Sequence, residues 1–77
     1  MTEIQYKGVS FMELLTIKEA ATRLKVNKNT VYNLIKAGHI TALKLGALKI
    51  VDKELDRFIS SASGNDYSDL NNVKKLN

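Results

Sequence analysis

The 77-residue chain has no cysteine, no proline and no tryptophan, and it has a single histidine. The absence of cysteine excludes a disulfide framework and thiolate metal sites, and it fits a reducing cytoplasm. No apolar run approaches the ~18 residues of a membrane-spanning helix. The start, MTEIQYKGVSFMELL, lacks a basic segment followed by an apolar block, which argues against a signal peptide. We therefore expect one small cytoplasmic domain with no membrane partner.

Groups that could carry catalysis are equally sparse. Carboxylates cluster only at Asp52, Glu54 and Asp56, and there is no glycine-rich phosphate loop. These three acids fall at the predicted start and on the outer surface of a helix, where the helix dipole accounts for them. We expect no enzymatic activity, no catalytic residue, no metal and no cofactor.

Positive charge is in excess and lies mainly in the middle of the chain. The formal charge is +4 and the isoelectric point is about 9.5. Residues 14–59 hold nine basic and four acidic side chains, whereas residues 60–77 hold two of each. A basic folded segment favours a polyanion such as nucleic acid as a partner, although a merely soluble surface would give the same total.

The first helical pattern begins at a capping box. Thr16 is the N-cap, and Glu19 follows three residues later. Apolar residues then recur at helical spacing, which predicts a helix over about residues 17–25.

A second helical pattern follows almost at once. Asn27 is a good N-cap and Gly38 lies where a left-handed C′ residue is wanted, which predicts a helix over about residues 28–37. Two short helices joined so tightly must cross at a large angle to bury both apolar stripes. This arrangement is a helix-turn-helix.

Beyond residue 40 the apolar spacing changes to alternation. TALKL and LKIV each place apolar residues on one face and a lysine on the other, and Gly46-Ala47 between them is typical of a two-residue type II′ turn. This register places Lys44 directly opposite Lys49. Two like charges in that position disfavour the sheet, and an anion lying across them would remove the penalty.

A third helix is predicted after the hairpin. Asp52 is placed to cap it, and it would run over about residues 53–61 with a buried stripe of Leu55, Phe58 and Ile59.

The two ends of the chain lack a sustained period. We expect residues 1–13 to be a flexible arm and residues 61–77 to be a mostly disordered tail. Residues 14–60 remain as the folded domain. Its predicted class is mostly α with a small β-hairpin, in the order of a winged helix-turn-helix: two helices, a two-stranded wing and a third helix.

The exposed face of the second helix is polar and has no carboxylate. At about 100° per residue, the apolar side chains fall on one side of the helix. The other side carries Lys28, Asn29, Thr30, Tyr32, Asn33 and Lys36. Asparagine can bond an adenine edge, lysine can reach guanine or phosphate, and hydroxyls commonly hold phosphate. The pattern favours DNA reading over an ordinary solvated face, which usually mixes lysine with glutamate.

Four side chains have structural alternatives. Tyr32 could pack its ring against the hairpin, and His39 could complement the dipole of the second helix rather than bind metal. Lys44 and Lys49 could be solubilising edge charges, although their predicted cross-strand placement favours contact with an anion.

The run LLTIKEAATRLKVNKNTVYNLIKAGHITALKLGALKIVDKELDRFI resembles the excisionase-type branch of the MerR-like winged helix-turn-helix proteins. The marks are LTIKEAA, VNKNTVYNLIKAG, the KLG hairpin and DKELDRFI. The resemblance implies that the second helix enters the major groove and that the wing lies along the neighbouring minor groove or backbone. By position it carries over contacts from Lys28, Asn29, Thr30, Tyr32, Asn33 and Lys36 in the helix, and from Lys44 and Lys49 in the wing. Two positions depart from many members: Thr41 replaces a proline, and the short neutral tip Gly46-Ala47 replaces one with an arginine.

The resemblance implies a sequence-specific double-stranded DNA-binding protein, first of all an excisionase-like accessory factor of a mobile element. Its partners would be DNA and a site-specific integrase, and its copies would associate head to tail on DNA. The alternatives are a small transcriptional regulator, or a plasmid DNA-processing accessory protein, that uses the same contacts. A third alternative is a protein-interaction module or antirepressor whose basic face meets an acidic protein.

Overall fold

The computed structural model describes residues 12–76, so the predicted arm at residues 1–13 lies almost entirely outside the described residues. The elements follow one another as β1 (Leu14–Thr16), α1 (Ile17–Leu24), α2 (Lys28–Lys36), β2 (Leu43–Leu45), β3 (Ala47–Val51), α3 (Asp52–Ala62), β4 (Asn65–Asp66) and β5 (Lys74–Lys75).

Helix α1 begins at the predicted capping box. The Thr16 hydroxyl accepts a hydrogen bond from the Glu19 backbone N–H at 3.1 Å, and the Glu19 carboxylate accepts one from the Thr16 N–H at 2.8 Å. The helix ends at Leu24 because Lys25 takes the left-handed conformation, with φ 60°. It is therefore one residue shorter than predicted.

Helix α2 has the predicted N-cap residue at one end and the predicted C′ glycine at the other. The Asn27 side chain accepts from the Thr30 backbone N–H at 2.9 Å. Gly38 has φ +86°, a conformation that glycine adopts without a steric penalty, and it lets the chain turn away from the helix. Only residues 25–27 separate α2 from α1, so the two helices pack side against side as a helix-turn-helix.

The sheet has three strands in the order β1, β3, β2, and all its neighbours are antiparallel. Strand β1 was missed by the sequence analysis because three residues are too few to show an alternating pattern. Its central residue, Leu15, pairs with Ile50 of β3, and both side chains are buried. Pairing with β1 therefore fixes β3 against the helices.

The predicted hairpin register is wrong by one residue. Lys44 pairs with Leu48 and Leu43 pairs with Lys49, because Gly46 alone, with φ +76°, reverses the chain. A shift of one residue exchanges the two faces of β2, so Ala42 packs against the core where the prediction placed Leu43. Lys44 and Lys49 consequently lie on opposite faces, and the predicted repulsion between them does not arise.

Helix α3 is slightly longer than predicted, and Asp52 does not cap it. Val51 is the N-cap, and no side-chain hydrogen bond is made there. Asp52 is instead the first helical residue, and its backbone N–H donates to the Glu13 carbonyl at 2.9 Å. Leu55 and Phe58 are buried as predicted, but Ile59 is 47% exposed.

The structure also differs from the predicted disordered tail. Strands β4 and β5 pair with each other beyond α3, and the Leu76 N–H donates to the Gly64 carbonyl at 2.9 Å. Between the strands, Tyr67 and Leu70 pack against the core. Partial burial of these two side chains favours the ordered conformation of the segment.

The buried residues come from every part of the motif and form one cluster. They are Leu15, Ile17, Ala20, Ala21, Val31, Leu34, Ile40, Ile50, Leu55 and Phe58. Three helices and a small antiparallel sheet around one core make a winged helix-turn-helix, so the predicted fold class is confirmed.

Candidate nucleic-acid interface

The core holds α2 by one side and leaves the other side in solvent. Val31 and Leu34 are buried at 0% and 4% exposure, and Ile35 packs beside them. On the opposite side Lys28, Asn29, Asn33 and Lys36 are all exposed. Tyr32 keeps 42% of its surface exposed and is therefore not packed into the core. The structure thus brings five of the six predicted helix contacts onto one accessible face.

Thr30 is the exception among the six. It is half-buried, and its hydroxyl donates to the Asn27 side-chain oxygen at 3.1 Å while its backbone N–H donates to the same oxygen. The hydroxyl therefore serves first to complete the cap of α2. Its lone pairs cannot bond a phosphate oxygen, because both groups are acceptors.

The two wing lysines do not form a single site. Lys44 is exposed on the face that carries Leu48, whereas Lys49 is half-buried on the other face, beside Leu43. The Lys49 ammonium lies 3.5 Å from the Leu45 carbonyl oxygen, which orients it along the hairpin. The wing can present both charges to DNA only if the hairpin approaches edge-on.

The Glu54 carboxylate is held in contacts with Arg57 and Thr41. Glu54 of α3 accepts from Arg57 through both oxygens at 2.8 Å and from the Thr41 N–H at 2.7 Å. The hydrogen bond from Arg57, with help from Thr41, lowers the pKa of Glu54 to about 2. Arg57 also donates to the His39 carbonyl at 2.9 Å, so this pair ties α3 to the segment between α2 and the wing.

Ion pairs elsewhere in the described chain are few. Within residues 12–76 the only other pair joins Arg23 to Glu13 at 3.7 Å, on the exposed surface. No carboxylate of the described residues pairs with the lysines of α2. The polar face of α2 is therefore electropositive.

A family model described as a helix-turn-helix domain matches residues 14–63. The chain belongs to this family. No curated protein and no solved structure gives a significant match. Helix-turn-helix domains bind DNA, so the family identifies DNA as the partner.

The helix-turn-helix domain is extended by a segment whose position beside α2 is not predictable from the sequence. Leu70 and Asn71 lie across a cleft of about 310 Å³ from Asn33, Lys36 and Ala37. The available signal was the pair Tyr67 and Leu70, two apolar residues three positions apart in a polar segment. Such a pair can dock a loop on a core, but nothing in the sequence shows that it docks beside α2.

The described part of the helix-turn-helix protein has neither a candidate metal site nor a candidate membrane-spanning helix. No group of three or more histidine, cysteine or acidic side chains within residues 12–76 is arranged to hold a metal ion. None of the helices described there has the length and apolar character needed to cross a membrane.

Proposed function

We propose that this protein binds double-stranded DNA sequence-specifically, with α2 lying in the major groove. The observation that carries the proposal is the exposed face of α2, which is rich in amides and lysines and has no carboxylate. Side-chain caps fix the first turns of α1 and α2, and the buried side of α2 packs on the core. The major groove is wide enough to admit a helix, and its base edges present donors and acceptors in distinct patterns.

The roles of the helix side chains follow from their chemistry. Asn29 and Asn33 would read base edges, since an amide can bond adenine through two hydrogen bonds at once. Lys28 and Lys36 would contact phosphates or guanine, and the Tyr32 hydroxyl would donate to a phosphate. Thr30 contributes through the cap of α2, which sets the direction of the helix.

The wing would contact the DNA backbone beside the groove. Because Lys44 and Lys49 lie on opposite faces of the hairpin, each would meet a different phosphate as the hairpin approaches edge-on. The short tip at Gly46 carries no charge, so the wing would add affinity for any sequence rather than read a base.

The biological role that we propose is that of an excisionase-like accessory factor of a mobile element, acting with a site-specific integrase. A single small module buries only about 600–1,000 Å² on DNA, which gives modest affinity. Several copies bound head to tail on direct repeats would supply the missing affinity and would deform the duplex. A transcriptional regulator or a plasmid accessory protein would use the same contacts, and the identity of the neighbouring gene separates these roles.

The test starts from duplexes selected by the protein out of a random pool. Affinity for the selected duplex and for an unrelated duplex is then measured at several salt concentrations. A DNA-binding module gives an enriched sequence and a log–log salt slope of about −0.9 per phosphate contact. A protein-interaction module or antirepressor would give no enriched sequence and weak binding with a shallow slope, and that result would refute the proposal.

A further inference from the structure

A cleft with both polar and apolar lining lies beside the C-terminal end of α2, and one of its walls lies outside the helix-turn-helix domain. Asn33 and Lys36 of α2 face Leu70 and Asn71 of the segment between β4 and β5, across about 310 Å³. Two asparagines and one lysine therefore line one opening. No acidic side chain of the described residues lines it.

We propose that this cleft holds a backbone phosphate of the bound duplex, with Asn71 as a DNA contact contributed by the C-terminal segment. The inference rests on the DNA-binding function proposed above and adds to it a contact beyond the matched residues 14–63. Phosphate oxygens only accept hydrogen bonds, and the amide N–H groups and the ammonium supply donors. Contacts of this kind set the register of a protein on the duplex.

The C-terminal segment is held firmly enough to present a side chain. The Tyr67 ring meets the rings of His39 and Phe58 edge to face, with centroids 5.2 and 5.3 Å apart. His39 Nε2 lies 2.7 Å from the Leu70 carbonyl oxygen. A carbonyl can only accept, so Nε2 carries the proton and donates. These contacts attach the residue before Asn71 to the turn that follows α2.

The nearest acid in the segment is turned toward its own backbone. The Asp69 carboxylate accepts from the Asn71 backbone N–H at 3.0 Å, and the Asp69 carbonyl accepts from the Asn72 N–H at 3.0 Å. This turn shapes the backbone and leaves the Asn71 side chain at the cleft. Lys36 supplies the positive charge there, and it also offsets the negative end of the α2 dipole.

The position of the cleft matches the proposed docking of α2. Asn33 and Lys36 are on the face that would enter the major groove, and the cleft opens next to them. A duplex engaged by that face brings a phosphate strand along the side of the helix, where Asn71 would meet it. Asn72 is also exposed but does not line the cleft.

The experiment compares two neighbouring amides. Asn71→Ala and Asn72→Ala are titrated with the duplex selected by the wild-type protein and with an unrelated duplex, after circular dichroism shows that both variants fold. We expect Asn71→Ala to weaken binding to both duplexes about tenfold, the effect of one lost hydrogen bond to a charged group. We expect Asn72→Ala to bind like the wild type.

In a second pair of variants, each protein gains one positive charge, so the two have the same net charge. Asn71→Lys should tighten binding and steepen the salt slope by about 0.9 relative to Asn72→Lys, because one more phosphate is neutralised. Equal behaviour of the two alanine variants, or tighter binding by Asn71→Ala, would overturn the inference. Tighter binding by Asn71→Ala would mean that the C-terminal segment obstructs the DNA.

Free phosphate is tested separately from duplex DNA. The Asn71 side-chain amide is followed by nuclear magnetic resonance while inorganic phosphate or the selected duplex is added. A shift with duplex that is absent from Asn72 supports the contact, whereas a shift with inorganic phosphate and none with duplex would overturn it. If the wild-type protein binds no duplex at all, the proposed function itself fails, and the two failures are thus distinguishable.

Discussion

The pair formed by Glu54 and Arg57 should make the stability of this protein fall in acid. Glu54 accepts two hydrogen bonds from Arg57 and one from the backbone of Thr41, and Arg57 also holds the His39 carbonyl. These contacts, first of all those from Arg57, lower the pKa of Glu54 from 4.5 to about 2. Replacing the carboxylate by an amide in Glu54→Gln removes the charge and keeps the shape.

The magnitude follows from the difference in pKa between the folded and unfolded states. A fall from 4.5 to about 2 corresponds to about 3–4 kcal/mol at most. The Arg57 side chain is 52% exposed, however, and the Glu54 side chain is 17% exposed. Solvent therefore screens the pair, and we expect about 1–2 kcal/mol at neutral pH. Because the folded pKa is the lower one, this contribution is complete above about pH 4.5 and is lost as the pH falls toward 2.

The assay is urea unfolding of the wild type and of Glu54→Gln, followed by circular dichroism at pH 7, 5, 4 and 3. We expect the difference in free energy of unfolding to be largest at pH 7 and to shrink steadily below about pH 4.5. Asp56→Asn, on the same helix and exposed, is the matched control and should change little. A difference that stays constant from pH 7 to pH 3 would refute the argument, since it would not depend on the ionised carboxylate.

Three further predictions concern the side chains of the interface and the cap of α2. Asn29→Ala and Asn33→Ala should each lose about 1–3 kcal/mol of discrimination between selected and unrelated duplexes, measured as the ratio of the two affinities, and an unchanged ratio would mean that they read no base. Lys44→Ala and Lys49→Ala, made singly and together, should weaken binding to all duplexes and flatten the salt slope by about 0.9 per lysine; an unchanged slope would place the wing off the DNA. Asn27→Ala should destabilise the fold by about 1 kcal/mol in urea unfolding, because the cap of α2 is lost, whereas full stability would show that water replaces the cap.

The state of association is a fifth prediction. We expect a monomer in sedimentation experiments at micromolar concentration, because the described residues offer no long apolar seam for a coiled coil. Binding should be weak on one half-site and cooperative on several direct repeats. A stable dimer in solution, or tight binding to an isolated half-site, would contradict head-to-tail assembly.

Local chemistry explains why the helices could be predicted. The capping box at Thr16, the cap at Asn27 and the glycine at position 38 act within a few residues, so the sequence contains all the information about those ends. Together with the apolar spacing they were sufficient to predict the helix-turn-helix and the face of α2 that remains exposed.

Features that depend on distant partners could not be predicted in this way. Strand β1 exists because β3 lies beside it, and the hairpin reverses at Gly46 alone instead of through the two-residue turn that the local sequence favours. The segment with Tyr67 and Leu70 is ordered by contacts with His39 and Phe58, far away in the chain. In each case tertiary packing selects among several local conformations of similar free energy.

The pairing of β1 with β3 also closes the chain around both helices of the helix-turn-helix. Leu14 pairs with Val51, and both helices of the motif lie in the loop between these two residues. Closing so long a loop costs entropy that local helix contacts do not, so this step should come late in folding. Once it is closed, α1 and α2 should not unravel independently of the sheet. The amides of β3 at Lys49 to Val51 should then exchange with solvent only through global unfolding, whereas those of β4 and β5 should exchange through local opening.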